Sequence, residues 1–188
     1  MILRRGEAEV KKRGSEAKAA IDLEGQGRAK LTSGSAFLDH MLHSLSAVGS
    51  LDLAVEATGG FDRAEAVGGA LGEALDRALG ARRGIRRYGW AMVPMDEALA
   101  EVALDLGGRA YLVLEGSFSG ERIGDLEAGE IKPFFESFSA GGRLTLHCRF
   151  QGENDHHKAE SIFKATGLAL KKAAFQEGTA IPSIKGAI

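Results

Sequence analysis

Apolar residues fall at every second position in several stretches of the chain. Ile21 and Leu23 are followed, across Gly25-Gln26-Gly27, by Ala29 and Leu31. This is the period of a half-buried strand on either side of a turn, and it predicts a hairpin. Val102, Leu104, Leu106, Ala110, Leu112 and Leu114 predict the same hairpin later in the chain. Leu51, Leu53 and Val55 alternate, as do Leu144, Leu146 and Cys148, each set behind a short helical stretch. Elsewhere the period lengthens. Ala64, Val67, Leu71, Ala74, Leu75 and Ala78 recur at helical spacing, and so do Ala159, Ile162, Phe163, Ala169, Leu170 and Ala173. Lys and Arg near the ends of these two segments suit the negative end of a helix dipole.

The two sets of elements are also alike residue by residue. Residues 16–31 align with 97–112, 41–54 with 134–147, and 61–79 with 156–174, in the same order. The chain therefore divides into two similar halves, 1–83 and 84–188, that together make one compact unit. Each half reads as β-β-α-β-α, and strands backed by helices predict an α+β fold built by tandem duplication, with sheets packed against helices.

Composition narrows the function classes. The 188 residues carry 24 basic and 26 acidic side chains and a net charge of −2. That balance disfavours a dedicated nucleic-acid binder. The small basic cluster Lys11-Lys12-Arg13 reads as a solvated face. A single cysteine, Cys148, excludes an internal disulfide and a multi-cysteine zinc site. With no apolar run at the N-terminus and none long enough to span a membrane, a cytoplasmic location is expected.

The chemistry is concentrated in residues 147–160, which run His-Cys-Arg-Phe-Gln-Gly-Glu-Asn-Asp-His-His-Lys-Ala-Glu. Asn154 or Asp155 can cap a helix that begins at His156. On such a helix His156 and Glu160 share a face, while His157 points about 100° away. Two imidazoles and a carboxylate suit a divalent ion such as Mn²⁺, Zn²⁺ or Fe²⁺, and adjacent histidines suit two ions better than one. His147 lies on the preceding strand. His40, in Phe-Leu-Asp-His-Met, is a further candidate ligand, and His43 is expected to face solvent.

The segments FLDHML, GIRRYG, MDEA, LDLGGRAYLV, TLHCRFQGENDHHKAE and IPSIKG resemble the imidazoleglycerol-phosphate dehydratase family of histidine biosynthesis, from Glu16 to Gly186. The resemblance implies a duplicated fold similar to the ribosomal protein S5 domain 2-like class. It implies loss of water from imidazole glycerol phosphate, giving imidazole acetol phosphate, with two manganese ions holding the substrate's imidazole. It also implies a large homo-oligomer built from trimers, a 24-mer in the family, with no nucleic-acid or membrane partner. Carried over residue by residue, it groups His40, His156 and Glu160 at one metal and Glu65, His147 and His157 at the other. Glu16 becomes the candidate base, and Arg87, Arg109, Ser183 and Lys185 the substrate and phosphate contacts.

The first half departs from the family pattern. Phe61 and Asp62 stand opposite His156 and His157, the loop Ala57-Thr58-Gly59-Gly60 is short, and Val48 replaces a substrate-contacting histidine. Asp62 can still serve as a ligand at the first metal, whereas Phe61 cannot ligate. Three readings follow: an active dehydratase with an altered half-site, a pseudoenzyme with a degraded metal site, and a nucleic-acid-binding module on a related fold.

Overall fold

The structure, a computed structural model, describes residues 4–60 and 62–183. Phe61 and Lys185 lie outside the described residues.

Strand β1 (Arg5–Lys12) turns through Arg13 and Gly14 into β2 (Ser15–Asp22). There follow β3 (Ala29–Thr32), α1 (Ala36–Gly49), β4 (Asp52–Thr58) and α2 (Arg63–Leu79). The pattern then recurs with β5 (Tyr88–Met95), β6 (Ala98–Asp105) and β7 (Tyr111–Glu115). A small hairpin, β8 (Arg122–Ile123) and β9 (Leu126–Glu127), is inserted before α3 (Ile131–Gly142), β10 (Thr145–Gln151) and α4 (Asp155–Ala174). The four long strands of each set form a mixed sheet, in the orders β1-β2-β4-β3 and β5-β6-β10-β7. Among the described residues, only β3 with β4 and β7 with β10 run parallel.

These pairings correct two sequence expectations. The turn at Gly25-Gln26-Gly27 does not close a hairpin, because β4 lies between β2 and β3; β10 likewise separates β6 from β7. The long hairpins are β1–β2 and β5–β6, each opened by a strand that lies ahead of the aligned blocks beginning at residues 16 and 97. Alternation records which face is buried, not which strand lies alongside. The first aligned block also slips by two residues. Asp22 sits opposite Arg5 and Asp52, as Asp105 sits opposite Tyr88 and Thr145, so Asp22 corresponds to Asp105 and not to Ala103. A slip of two keeps every side chain on its face.

The helices interlock the two sheets. Helix α2 packs on β1 and β2, and α4 on β5 and β6, while α2 also packs on α3 and α4 on α1. Small residues set these distances. A Cβ on Gly6 would lie 2.0 Å from the Ala74 carbonyl, and one on Gly89 1.9 Å from that of Ala169. Between helices, a Cβ on Gly72 or Gly167 would lie 2.4 or 2.3 Å from the carbonyl of Phe138 or Leu45. The same contacts recur in matching places, and one continuous apolar core runs through both sheets and all four helices.

Candidate metal and active site

Helix α4 begins where the sequence suggests, capped by Asn154. Its side-chain oxygen accepts from the backbone N–H of His156 at 2.9 Å and of His157 at 3.4 Å. Asp155 reaches the other way, accepting from the N–H groups of Ser119 and Gly120 and pairing with Lys158 at 2.5 Å. Helix α1 is capped by Ser35, and the Asp125 carboxylate, from the β8–β9 turn, accepts from Ser35 Oγ and from the N–H of Ala36 and Phe37. One turn later this helix presents His40. Both imidazole-bearing helix starts are thus fixed by polar contacts to distant loops.

With those ends fixed, His156 and His40 converge on Glu160. His156 Nε2 lies 3.2 Å and His40 Nε2 3.4 Å from Glu160 Oε2. The three ligating atoms all lie within 4.8 Å of one another, a grouping of this kind found once among the described residues. Glu160 is buried, and the histidines are partly open. Two imidazole nitrogens and a carboxylate oxygen converging from one side, with solvent on the other, fit a divalent transition ion that keeps open positions.

The other oxygen of Glu160 is held from behind. Lys164 Nζ lies 2.7 Å from Oε1, and Ser44 Oγ 3.5 Å. Burial works to raise the Glu160 carboxyl, but the Lys164 ammonium and then His40 outweigh it, leaving it below the ordinary carboxylate value. Glu65, the counterpart of Glu160 in the third aligned block, has the same surroundings from different sources. Its Oε1 meets the Lys12 ammonium and, at 3.4 Å, the Ser137 hydroxyl. Lys12 belongs to the basic cluster read from sequence as a solvated face; here it is an ion-pair partner instead.

The remaining candidates are dispersed within one chain. His147 stands on the outward face of β10, between Ala103 and Val113. His157 points away from His156 and donates Nδ1 to Glu97 Oε2 at 2.8 Å. This contact pushes the His157 pKa up and holds Glu97 down at about 2, with help from the Asn154 N–H. Asp62 stands at the start of α2 without a side-chain capping bond. Glu16 lies on the outer face of β2, between the ammonium groups of Lys11 and Lys18. Arg87 grips Asp105 with two nitrogens, at 2.6 and 3.0 Å, and donates to the Pro182 carbonyl at 2.8 Å, tethering the irregular segment that carries Ser183. Arg109 is exposed two residues beyond Gly107, where a Cβ would lie 2.7 Å from the Arg87 guanidinium. His43 is exposed, as expected. Cys148 is fully buried in β10, its thiol pushed up to about 12 by burial, so it is no nucleophile.

Sequence reasoning missed Lys164, Ser44, Ser137 and Glu97. Only Lys164 carried a local signal, the spacing of four residues from Glu160. The others meet their partners across the fold.

Residues 33–170 match the sequence profile described as Imidazoleglycerol-phosphate dehydratase. The imidazoleglycerol-phosphate dehydratase of Methanothermobacter thermautotrophicus is 47% identical over 174 residues, covering 90% of each chain. The chain belongs to the imidazoleglycerol-phosphate dehydratase family. Two solved dehydratases agree with this in three dimensions. The enzyme from Staphylococcus aureus superposes with a TM-score of 0.82 at 31% identity, covering 92% of this chain and 99% of that one. The Pyrococcus furiosus dehydratase, solved in complex with (S)-C348, gives 0.83 at 27% identity, covering 96% and 99%. The family profile spans positions 61 and 62, where this chain departs from the expected motif.

Proposed function

We infer that the protein is an imidazoleglycerol-phosphate dehydratase, a hydro-lyase of histidine biosynthesis that converts imidazole glycerol phosphate to imidazole acetol phosphate and water. The observation that carries this reading is the convergence of His40, His156 and Glu160 in a chain of that family. We assign these three residues to one manganese ion, with Asp62 as a further ligand, and Glu65, His147 and His157 to a second.

Held by these residues, the ions would supply positive charge against the negative charge that develops on the substrate ring as the carbon acid beside it loses its proton. The chain's own groups do the rest. Glu160 keeps one oxygen toward the two imidazoles while Lys164 and Ser44 hold the other, so the ligand face is set before anything binds. Glu16 serves as the base that removes the proton. Arg109, Ser183 and Lys185 bind the phosphate dianion, for which guanidinium and ammonium groups are suited. Arg87, committed to Asp105 and the Pro182 carbonyl, positions the segment that carries Ser183.

A single chain does not gather Glu16 and His147 at the His40 cluster, and assembly supplies the rest of the site. The outer face of the second sheet supports this. Tyr88, Trp90, Met92 and Tyr111 are each more than half exposed there, around His147. A face that leaves four large apolar side chains exposed is suited to association. We place the assembly in the cytoplasm as a trimer-based homo-oligomer, in keeping with the family; no helix among the described residues is long and apolar enough to cross a membrane. A second reading, a homologue that keeps one ion and no turnover, is favoured by Phe61, Val48 and the short Ala57-Thr58-Gly59-Gly60 loop together.

The reading is tested by calorimetric titration of imidazole glycerol phosphate into chelator-treated protein, before and after addition of Mn²⁺. Binding that appears only with the metal is expected. Binding of equal strength without it contradicts the assignment.

A further inference from the structure

Glu97 lies in the turn between β5 and β6, and both of its carboxylate oxygens are committed. Oε1 accepts from the backbone N–H of Glu153 at 3.1 Å and of Asn154 at 2.7 Å, in the loop that caps α4. Oε2 meets His157 Nδ1 at 2.8 Å. The other ring nitrogen, Nε2, faces the exposed Asp96 carboxylate at 3.7 Å, beyond hydrogen-bond reach. An ionised carboxylate has no proton to give, so Nδ1 must carry the hydrogen of the neutral ring. The lone pair is then on Nε2, the nitrogen that Glu97 does not engage and that has only the exposed Asp96 carboxylate, at 3.7 Å, near it. The turn itself is held in one conformation, with Asp96 at a φ of 49°, so the carboxylate is delivered by the backbone of the hairpin.

We propose that Glu97 is a positioning residue of the second metal site, fixing His157 in the Nδ1–H tautomer so that Nε2 is presented as a ligand. This rests on the dehydratase reading, in which His157 binds the second ion. A carboxylate behind a ligating imidazole also raises the ring's basicity, and loss of such a partner weakens metal binding by about 10- to 100-fold. His40 and His156, whose Nε2 atoms face Glu160, do not depend on it.

The substitution Glu97→Gln separates positioning from a purely structural role. The amide oxygen can keep the two N–H groups of the capping loop, while the amide NH₂ turned toward His157 makes Nδ1 an acceptor and puts the ring hydrogen on Nε2. The experiment titrates Mn²⁺ into chelator-treated, full-length wild-type and variant protein at about pH 7.5, following the free-ion signal by electron paramagnetic resonance. Two ions per chain are expected for the wild type. In the variant one class should weaken by about 10- to 100-fold and the other should stay within about twofold. Equal weakening of both classes makes Glu97 only a clamp for the loop, and no change in either removes it from the site; each result overturns the proposal. A wild-type protein that binds fewer than two ions overturns the two-metal reading itself, whatever the variant does, and the proposal with it.

Discussion

Glu160 and Glu65 hold equivalent places, and each has an ammonium and a serine hydroxyl on one oxygen. Lys164 and Ser44 serve Glu160; Lys12 and Ser137 serve Glu65. The two serines correspond in the aligned blocks, but the two lysines come from unrelated elements. The duplication has kept the electrostatics of this position while changing the source of the charge. What differs is the imidazole side: Phe61 stands opposite His156 in the alignment, and Pro133, one residue ahead of the aligned block, takes the place of His40.

The Glu97–His157 pair gives the metal-free protein a defined pH response. The histidine's contribution is complete below its unfolded pKa of about 6.5 and is lost as the pH rises through its raised folded value. Glu97 contributes above its unfolded value of about 4.5, and this is lost as the pH falls through about 2. We therefore expect the gap in thermal midpoint between metal-free wild type and Glu97→Gln to be widest between about pH 4.5 and 6.5. A gap that does not vary with pH contradicts the pairing. The spacing of His156 and Glu160 made one site legible at this scale. The partners Glu97, Ser44 and Lys12 were not, because no periodicity joins residues on different elements.

At the scale of elements, backbone contact positions the site. Helices α1 and α4 meet where Gly167 lies against the Leu45 carbonyl, and these are the helices that carry His40 and the His156–Glu160 pair. Gly167→Ala must push them apart. We expect a loss of about 1–3 kcal/mol, read by denaturant unfolding, together with weaker Mn²⁺ binding at the His40 site. Retention of wild-type metal affinity would show that the helix separation does not set the cluster. Asp125→Ala removes the carboxylate that caps α1 from the β8–β9 turn, and by the usual cost of a lost cap should destabilise the protein by about 1 kcal/mol; an unchanged unfolding midpoint contradicts that role. The helices and most buried strand faces were readable from hydrophobic period, since burial writes that period directly. Strand partners were not. The glycine turn after Leu23 looked like a hairpin, but the chain there crosses over to pair in parallel with a later strand, a non-local event that a local pattern does not record.

For the whole molecule, the two sheets share a topology and differ in what they show outward. Along matching rows, the first presents Arg5, Glu7, Glu9 and Lys18, and the second presents Tyr88, Trp90, Met92 and Glu101. Charge keeps one face in water, and aromatic surface seeks cover on the other. We expect Trp90→Glu, which places a charge at the centre of the apolar face, to lower the assembly state in sedimentation velocity while the far-ultraviolet dichroism stays native. A variant that assembles as the wild type does shows that this face is not the interface. The family, the duplicated architecture and one metal cluster were all legible in the sequence; where the ligands assigned to the second site would meet was not, because they lie on different surfaces of one chain.

The central claim is that dehydration survives the altered first half-site. It is tested most directly by incubating the full-length protein, stripped by chelator and reloaded with excess Mn²⁺, with imidazole glycerol phosphate and measuring imidazole acetol phosphate over time. Mn²⁺-dependent product formation with multiple turnovers per chain is the expected result. No product at high protein concentration with saturating Mn²⁺ contradicts it.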